Sequence, residues 1–486
     1  MEDRRYRDKK KGIDRLILFE FILAFSSIYA IFCLYYETTE NQQDLIIKSW
    51  GWISIILLLI SSVELINKSG SFFNAYFIYI IVAYFYWLGS LFLKAWNLEP
   101  EKSVLLWFSS QELIQPVVYS VMGFGLMQLA TILYTRKTPE NTAFCHNITI
   151  KNIHYKNSVL ITSIIFLIIS TPVYYNELIG NAIQSITYGY GSLYVAKDST
   201  SVSNIISSLR TFFVPGLYLL FSVKKESKIV RKFISIVVIV NVLLSFISGG
   251  RSEGFILILS FLWLNHVQIK PFKRNNIKAL ILTITLMLLS VTIIEYRGTT
   301  NKTVIVFFNL VINNIGKDNF IITFINELGY SIYPIIKTMQ IVPQIQEISY
   351  GFSYLSSLLA IIPKLFLGGF SFAKYAALDI WLMNVLNLNY GPGFSLIAET
   401  YYNFGWFGLI LMNIWGKVFV RIFSNKFEGD KAIVKNALIA IMLYYLLMTT
   451  RFPLLLTIRS VFYGVIIPIL MINTLFVSKN KEQLIT

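Results

Sequence analysis

The chain has 486 residues, 55% of them hydrophobic and 14% charged, with a mean hydropathy of +0.62 and a formal net charge of +16. That apolar excess excludes a soluble globular enzyme and a disordered polycation. The charge does not mark a nucleic-acid binder either, because the basic residues fall in short loops between apolar runs, the distribution that orients membrane proteins.

Apolar runs of about 20 residues recur, each long enough to cross a hydrocarbon core of ~30 Å as a helix. The charged stretch 1–15 leads straight into the first run, 16–36, without the pattern of a cleavable signal. A second span is expected at 50–66 and a third at 72–93. The loop 94–115 carries Trp96 and Trp107, suited to an interfacial aromatic belt. A fourth span ends near Tyr134. A basic loop with Cys145, His146 and His154 precedes the fifth span, 158–175. The loop 176–208 holds Tyr188-Gly189-Tyr190-Gly191, which fits either a sugar-stacking surface or plain turn chemistry.

The sixth span starts near Arg210 and ends before Lys224. The seventh and eighth, 233–247 and 254–266, flank the tight turn Ser248-Gly249-Gly250-Arg251-Ser252-Glu253. Its glycines permit a sharp reversal, but a turn needs no arginine. The ninth span, 279–294, ends at Glu295-Tyr296-Arg297. A long segment follows. Within it 320–336 and 354–370 are apolar, short and interrupted by proline, which predicts interfacial or re-entrant helices. Spans ten to twelve lie at 404–423, 432–448 and 459–477.

The expected fold is an all-α polytopic membrane protein with about twelve spans. It divides into residues 1–296 with spans one to nine, a large outer segment 297–403, and residues 404–486. The basic loops fall on alternate sides, which puts them and both termini in the cytoplasm. Cys33 and Cys145 lie in different environments and do not pair.

On the outer side arginines are few: Arg210, Arg251, Arg297, Arg451 and Arg459, each at a helix end or turn. Cations there run against the topological bias, and arginine's planar fork suits bidentate grip on phosphate. Arg251, Arg297, Arg451 and Arg459 are candidate pyrophosphate ligands. Snorkelling to lipid phosphate, or pairing with Glu253, Glu295 and Glu399, is the structural alternative. Candidate bases at the same level are Glu253, Glu295, Glu327, Asp379 and Glu399. Glu399 is expected to be catalytic, because glycine and aromatic neighbours desolvate it and leave room for a sugar. Arg210, Glu327, Tyr401, Tyr402 and Asn403 complete the candidate substrate-binding set. His146, His154 and His266 all fall on the cytoplasmic side, so no metal ligand of that kind serves the outer face. No phosphate-binding Gly-rich fingerprint is present, and no cofactor is expected.

The run Gly393-Phe394-Ser395-Leu396-Ile397-Ala398-Glu399-Thr400-Tyr401-Tyr402-Asn403-Phe404-Gly405-Trp406-Phe407-Gly408 resembles the signature before a late span of bacterial O-antigen polymerases (Wzy). Asn326-Glu327-Leu328-Gly329 and Tyr350-Gly351-Phe352-Ser353-Tyr354, followed by Pro363, are similar to that family's large periplasmic loop. Ser248-Gly249-Gly250-Arg251 resembles the arginine turn that these polymerases share with O-antigen ligases. The motifs cover 248–408; elsewhere the likeness is one of topology.

The resemblance implies a GT-C-like, metal-independent glycosyltransferase in the bacterial inner membrane, with its active site facing the periplasm. Donor and acceptor would be glycans on undecaprenyl pyrophosphate, and a chain-length regulator protein is an implied partner. Two alternatives carry the same arginine logic. A ligase would use a periplasmic histidine, which this chain lacks. A flippase would more often show internal repeats and charges at mid-membrane.

Overall fold

The computed structural model describes residues 2–35, 39–69, 71–137, 149–189, 192–193, 208–272, 277–299, 303–316, 320–423 and 430–485. Cys145, His146, Tyr190, Gly191 and Lys317 lie outside them. The regular structure among the described residues is entirely helical. In chain order the helices are α1 Glu2–Tyr35, α2 Glu40–Ser69, α3 Ala75–Ala95, α4 Ser110–Lys137, α5 Ile153–Tyr188, α6 Phe213–Val223, α7 Lys228–Ser248, α8 Arg251–Gln268 and α9 Ile277–Gly298. There follow α10 Val304–Gly316, α11 Phe320–Gly329, α12 Tyr333–Ile341, α13 Phe352–Leu359, α14 Leu378–Val385, α15 Leu396–Phe404, α16 Gly408–Phe423, α17 Asp430–Met448, α18 Leu454–Val461 and α19 Ile467–Ile485.

Nine stretches among the described residues are long and apolar enough to cross a membrane: α1 from Arg15, α2, α3, α4, α5, α7, the α15–α16 pair, α17 and the α18–α19 run. Helices also stand at the other three expected spans, as α6, α8 and α9. α2 begins ahead of its expected span, at Glu40, and α5 continues past its own to Tyr188.

Helix ends follow local chemistry. Asn74 and Asn152 accept the Phe77 and Tyr155 amides at 2.7 and 3.0 Å, capping α3 and α5. Gly249 ends α7 with φ +105°, in the left-handed region. Lipid gives no hydrophobic drive between helices, so the bundle is held by close packing and polar contacts of about 0.6–2 kcal/mol each. Gly329 sits so close to α3 that a Cβ there would lie 2.3 Å from the Ser90 nitrogen. Tyr119 pairs with Thr400 at 3.0 Å, Tyr218 with Ser260 at 2.7 Å, and Gln268 donates to the Ile433 carbonyl at 2.8 Å. Trp50, Trp87, Tyr79, Tyr84, Tyr119 and Phe124 fill the interior. Phe21, Phe25, Ile28 and Ile31 of α1 point outward, as on a helix facing lipid.

The segment after α9 stays at one end of the bundle. α10 packs back along α9, where Asn314 donates to Glu295 at 2.8 Å, and α11 docks on α3 and α9. The expected 320–336 helix is a bent rod of α11, a 3-10 turn and α12, with Pro334 in the first turn of α12. The expected 354–370 helix stops at Leu359, before Pro363. α15 and α16 meet at Gly405, whose φ is +56°.

Candidate functional site

At the end of the bundle opposite both termini lies a cavity of about 260 Å³. That is slightly below the ~300 Å³ at which ligand pockets usually begin, room for a head group rather than a chain of sugars. Seven separate stretches wall it: α5 (Tyr174, Glu177, Asn181), Leu193, Arg210 before α6, the turn between α7 and α8 with Glu253, Asp379 of α14, Gly391 with Gly393, and Arg451 with Phe452.

Arg451 sits on the three-residue turn after α17, which is held by hydrogen bonds from two segments. Phe394 and Leu396 donate their amides to the Arg451 and Thr449 carbonyls, both at 2.8 Å. From α3, the Trp87 indole donates to the Thr450 carbonyl at 3.0 Å and the Tyr79 hydroxyl pairs with Thr449 at 3.1 Å. Gly393 adopts φ +76°, and a Cβ there would lie 2.8 Å from the Arg451 carbonyl oxygen. The backbone is therefore immobilised while the guanidinium makes no hydrogen bond or ion pair to any described residue. A held cation without a hydrogen-bond or ion-pair partner among the described residues is free to meet an anion in the cavity.

The other cavity groups are partly neutralised. Arg210 is ion-paired with Glu177. Glu253 stands within electrostatic reach of both without a hydrogen bond of its own to a described residue. Asp379 receives its own and the Ile380 backbone amides, yet burial outweighs them and pushes its carboxyl above the ordinary range.

The remaining expected site residues are elsewhere. Arg251 is not part of the cavity wall, although the turn before it is; its Nη2 donates to Glu327 at 3.3 Å, tying α8 to α11. Arg459 reaches Ser208 at 3.4 Å. Arg297 lies near the end of α9.

Glu399, expected to be desolvated by glycine and aromatic neighbours that leave room for a sugar, is fully buried in α15 but is not part of the cavity wall. One oxygen accepts the Leu454 amide at 2.7 Å, capping the start of α18, and the other accepts Ser353 at 3.3 Å. Asn403 donates to Ser353 at 2.7 Å, and Tyr402 accepts from Gln346 at 2.9 Å while packing edge-on to Trp381. Tyr401 packs on Tyr119. The signature helix is enclosed because its neighbours bring partners for each polar atom, so Glu399, Tyr401, Tyr402 and Asn403 support the wall rather than form it.

Sequence reasoning missed Tyr174, Glu177 and Asn181. They fall where the apolar pattern of span five fades and the helix nonetheless continues. A carboxylate one turn beyond a span end, in register with Tyr174, was the available signal.

The sequence model of the family described as O-antigen polysaccharide polymerase Wzy matches residues 16–482. No curated protein and no solved structure matches.

Proposed function

The chain belongs to the O-antigen polysaccharide polymerase Wzy family, whose glycosyltransferase-type reaction joins lipid-linked O-antigen repeat units, and we propose that the cavity is where that bond is made. The donor is a growing glycan on undecaprenyl pyrophosphate, and the acceptor is a repeat unit on a second carrier. The reaction takes place at the periplasmic face of the inner membrane. Arg451, with Arg210, grips the donor pyrophosphate. Asp379 takes the acceptor hydroxyl proton. The acceptor oxygen bonds to the anomeric carbon, the bond from that carbon to pyrophosphate breaks, and the leaving group departs as the arginines neutralise its charge. In this reading the arginines supply the charge stabilisation and the transfer is metal-independent.

Arg451 carries the reading, because its turn is held by four hydrogen bonds from two segments, the run at Phe394 and Leu396 and helix α3, and it lines the cavity with no side-chain partner among the described residues. Asp379 is preferred as base over Glu253 because Glu253 lies within electrostatic reach of Arg210 and Glu177, whereas the Asp379 carboxyl is held by its own and the Ile380 amides on the cavity wall. Glu399 becomes a positioning residue that holds the far side of the Arg451 turn through Leu454.

The test is the purified chain in a bilayer with a synthetic polyprenyl-pyrophosphate-linked repeat unit. A ladder of products with release of polyprenyl pyrophosphate, persisting in chelator, supports it. Transfer only to a lipid A acceptor, or movement of the lipid across the bilayer without bond formation, overturns it.

A further inference from the structure

Helix α13 is inside out for a water-facing element. Ser353, Ser356 and Ser357, with Ala360 beyond the helix, line its buried face. Phe352, Leu355 and Leu358 line the exposed face at helical spacing, each about half exposed, and Ile362 extends the stripe. Phe366, 76% exposed, and Phe370 continue it into the loop that follows. A contiguous apolar surface of this kind marks a protein or membrane contact.

Three observations select the membrane. The buried face is polar because it packs on the signature helix, where Ser353 meets Glu399 and Asn403, so the apolar face has turned away from the protein interior. The Tyr463 hydroxyl donates to the Ile361 carbonyl at 2.8 Å. Tyr463 lies nine positions past Leu454 in the candidate span Leu454–Val477, roughly 14 Å along it at ~1.5 Å per residue, so the loop reaches well down the side of a spanning helix. Residues 352–375 hold Lys364 and Lys374 as their sole charges, with no acidic residue. Lys374 rests over the rings of Phe370 and Tyr375 at 4.9 and 4.7 Å, an aromatic and basic rim suited to lipid phosphates.

We propose that residues 352–375 form a re-entrant element embedded in the leaflet at the cavity end. Its occupant is lipid: the Phe352, Leu355, Leu358 and Phe366 face lies among acyl chains, and Lys364 and Lys374 meet anionic headgroups.

The test uses the full chain, with Cys33 and Cys145 replaced by serine, in bilayers of phosphatidylethanolamine and phosphatidylglycerol. Spin labels at Leu358→Cys and Phe366→Cys are read by power saturation. Collision with dissolved oxygen is expected to exceed collision with a water-soluble nickel chelate severalfold, with the order reversed at Tyr350→Cys. Chelate-dominated collision at 358 and 366 means a water-facing aromatic platform and overturns the proposal. Low accessibility to both reagents means a protein cover, a second copy included, and overturns it too. The double change Lys364→Glu and Lys374→Glu is expected to move the 366 label toward the chelate in phosphatidylglycerol bilayers and not in phosphatidylcholine. The same reading in both lipids removes the anionic-headgroup part.

Discussion

The cavity wall and the signature helix meet at Arg451 and are built on opposite terms. The wall is drawn from seven distant stretches, carries Glu177, Arg210, Glu253, Asp379 and Arg451, and leaves Glu253 and Arg451 without a side-chain partner among the described residues. The helix Leu396–Phe404 is one continuous run, buried from Leu396 through Asn403, with the polar side chains of Glu399, Thr400, Tyr402 and Asn403 all hydrogen-bonded. The most distinctive run of the chain is thus the frame, and the groups proposed to react stand on the less distinctive segments it holds. Changes in the wall should remove chemistry and leave the fold. Changes in the frame should disturb both together.

The largest effect is expected at Arg451. Arg451→Ala should lower polymerisation by ~10²–10³-fold or more in vitro, with normal yield and thermal stability of the purified chain. Arg451→Lys should recover little, because the bidentate fork is lost. Near wild-type chain lengths in the alanine variant would erase the distinction between wall and frame. Asp379→Asn comes next, at ~10²–10⁴-fold. The base must be ionised, and burial raises its carboxyl above the ordinary ~3.9 for aspartate, so the wild-type rate should fall on acidification at a higher pH than an exposed aspartate would give. The residual rate of Asp379→Asn should lack that acid limb. If Glu253→Gln removes the limb instead, the proton goes to Glu253.

Frame substitutions sharpen the comparison at smaller effect. Glu399→Ala strips the carboxylate from the Leu454 amide and should cost about 1.5–3 kcal/mol of stability, with Glu399→Gln costing less. Melting temperature and activity should drop together, and the folded fraction should keep most of its kcat while KM for the lipid-linked substrate rises. A Glu399→Gln enzyme that folds normally and has lost only kcat would return Glu399 to the role of base. The smallest effect is expected for the partly buried Arg251–Glu327 pair, where a double-mutant cycle should give ~0.2–1 kcal/mol. Loss of polymer on Arg251→Ala at normal stability would put Arg251 back among the phosphate ligands.

What could be read from sequence follows from the range of the interactions involved. Helices in lipid are specified locally by apolar runs, so the all-α membrane class was legible, as was the Ser248-Gly249-Gly250 turn that lines the cavity. Side-chain direction was not. Glu399 is turned inward by Ser353 and Leu454, 46 and 55 positions away, and Arg251 is drawn from the cavity by Glu327, 76 positions away. Glu177 was hidden for a different reason. Polar residues after an apolar run read as loop, whereas packing against neighbours carries α5 on to Tyr188.

The ionisable groups of the cavity wall have one further consequence, for proton traffic. Two arginines face three carboxylates there, so the cavity wall carries a net charge of −1 when all are ionised. If the donor pyrophosphate binds there as proposed, protonating one of the carboxylates favours its binding, so donor binding and proton uptake are linked. Affinity for the donor should therefore weaken as pH rises. The transfer step needs an ionised base and should weaken as pH falls. The two slopes oppose each other, and the enzyme is fastest in the window between them, loading its donor with a borrowed proton and releasing that proton with the spent carrier.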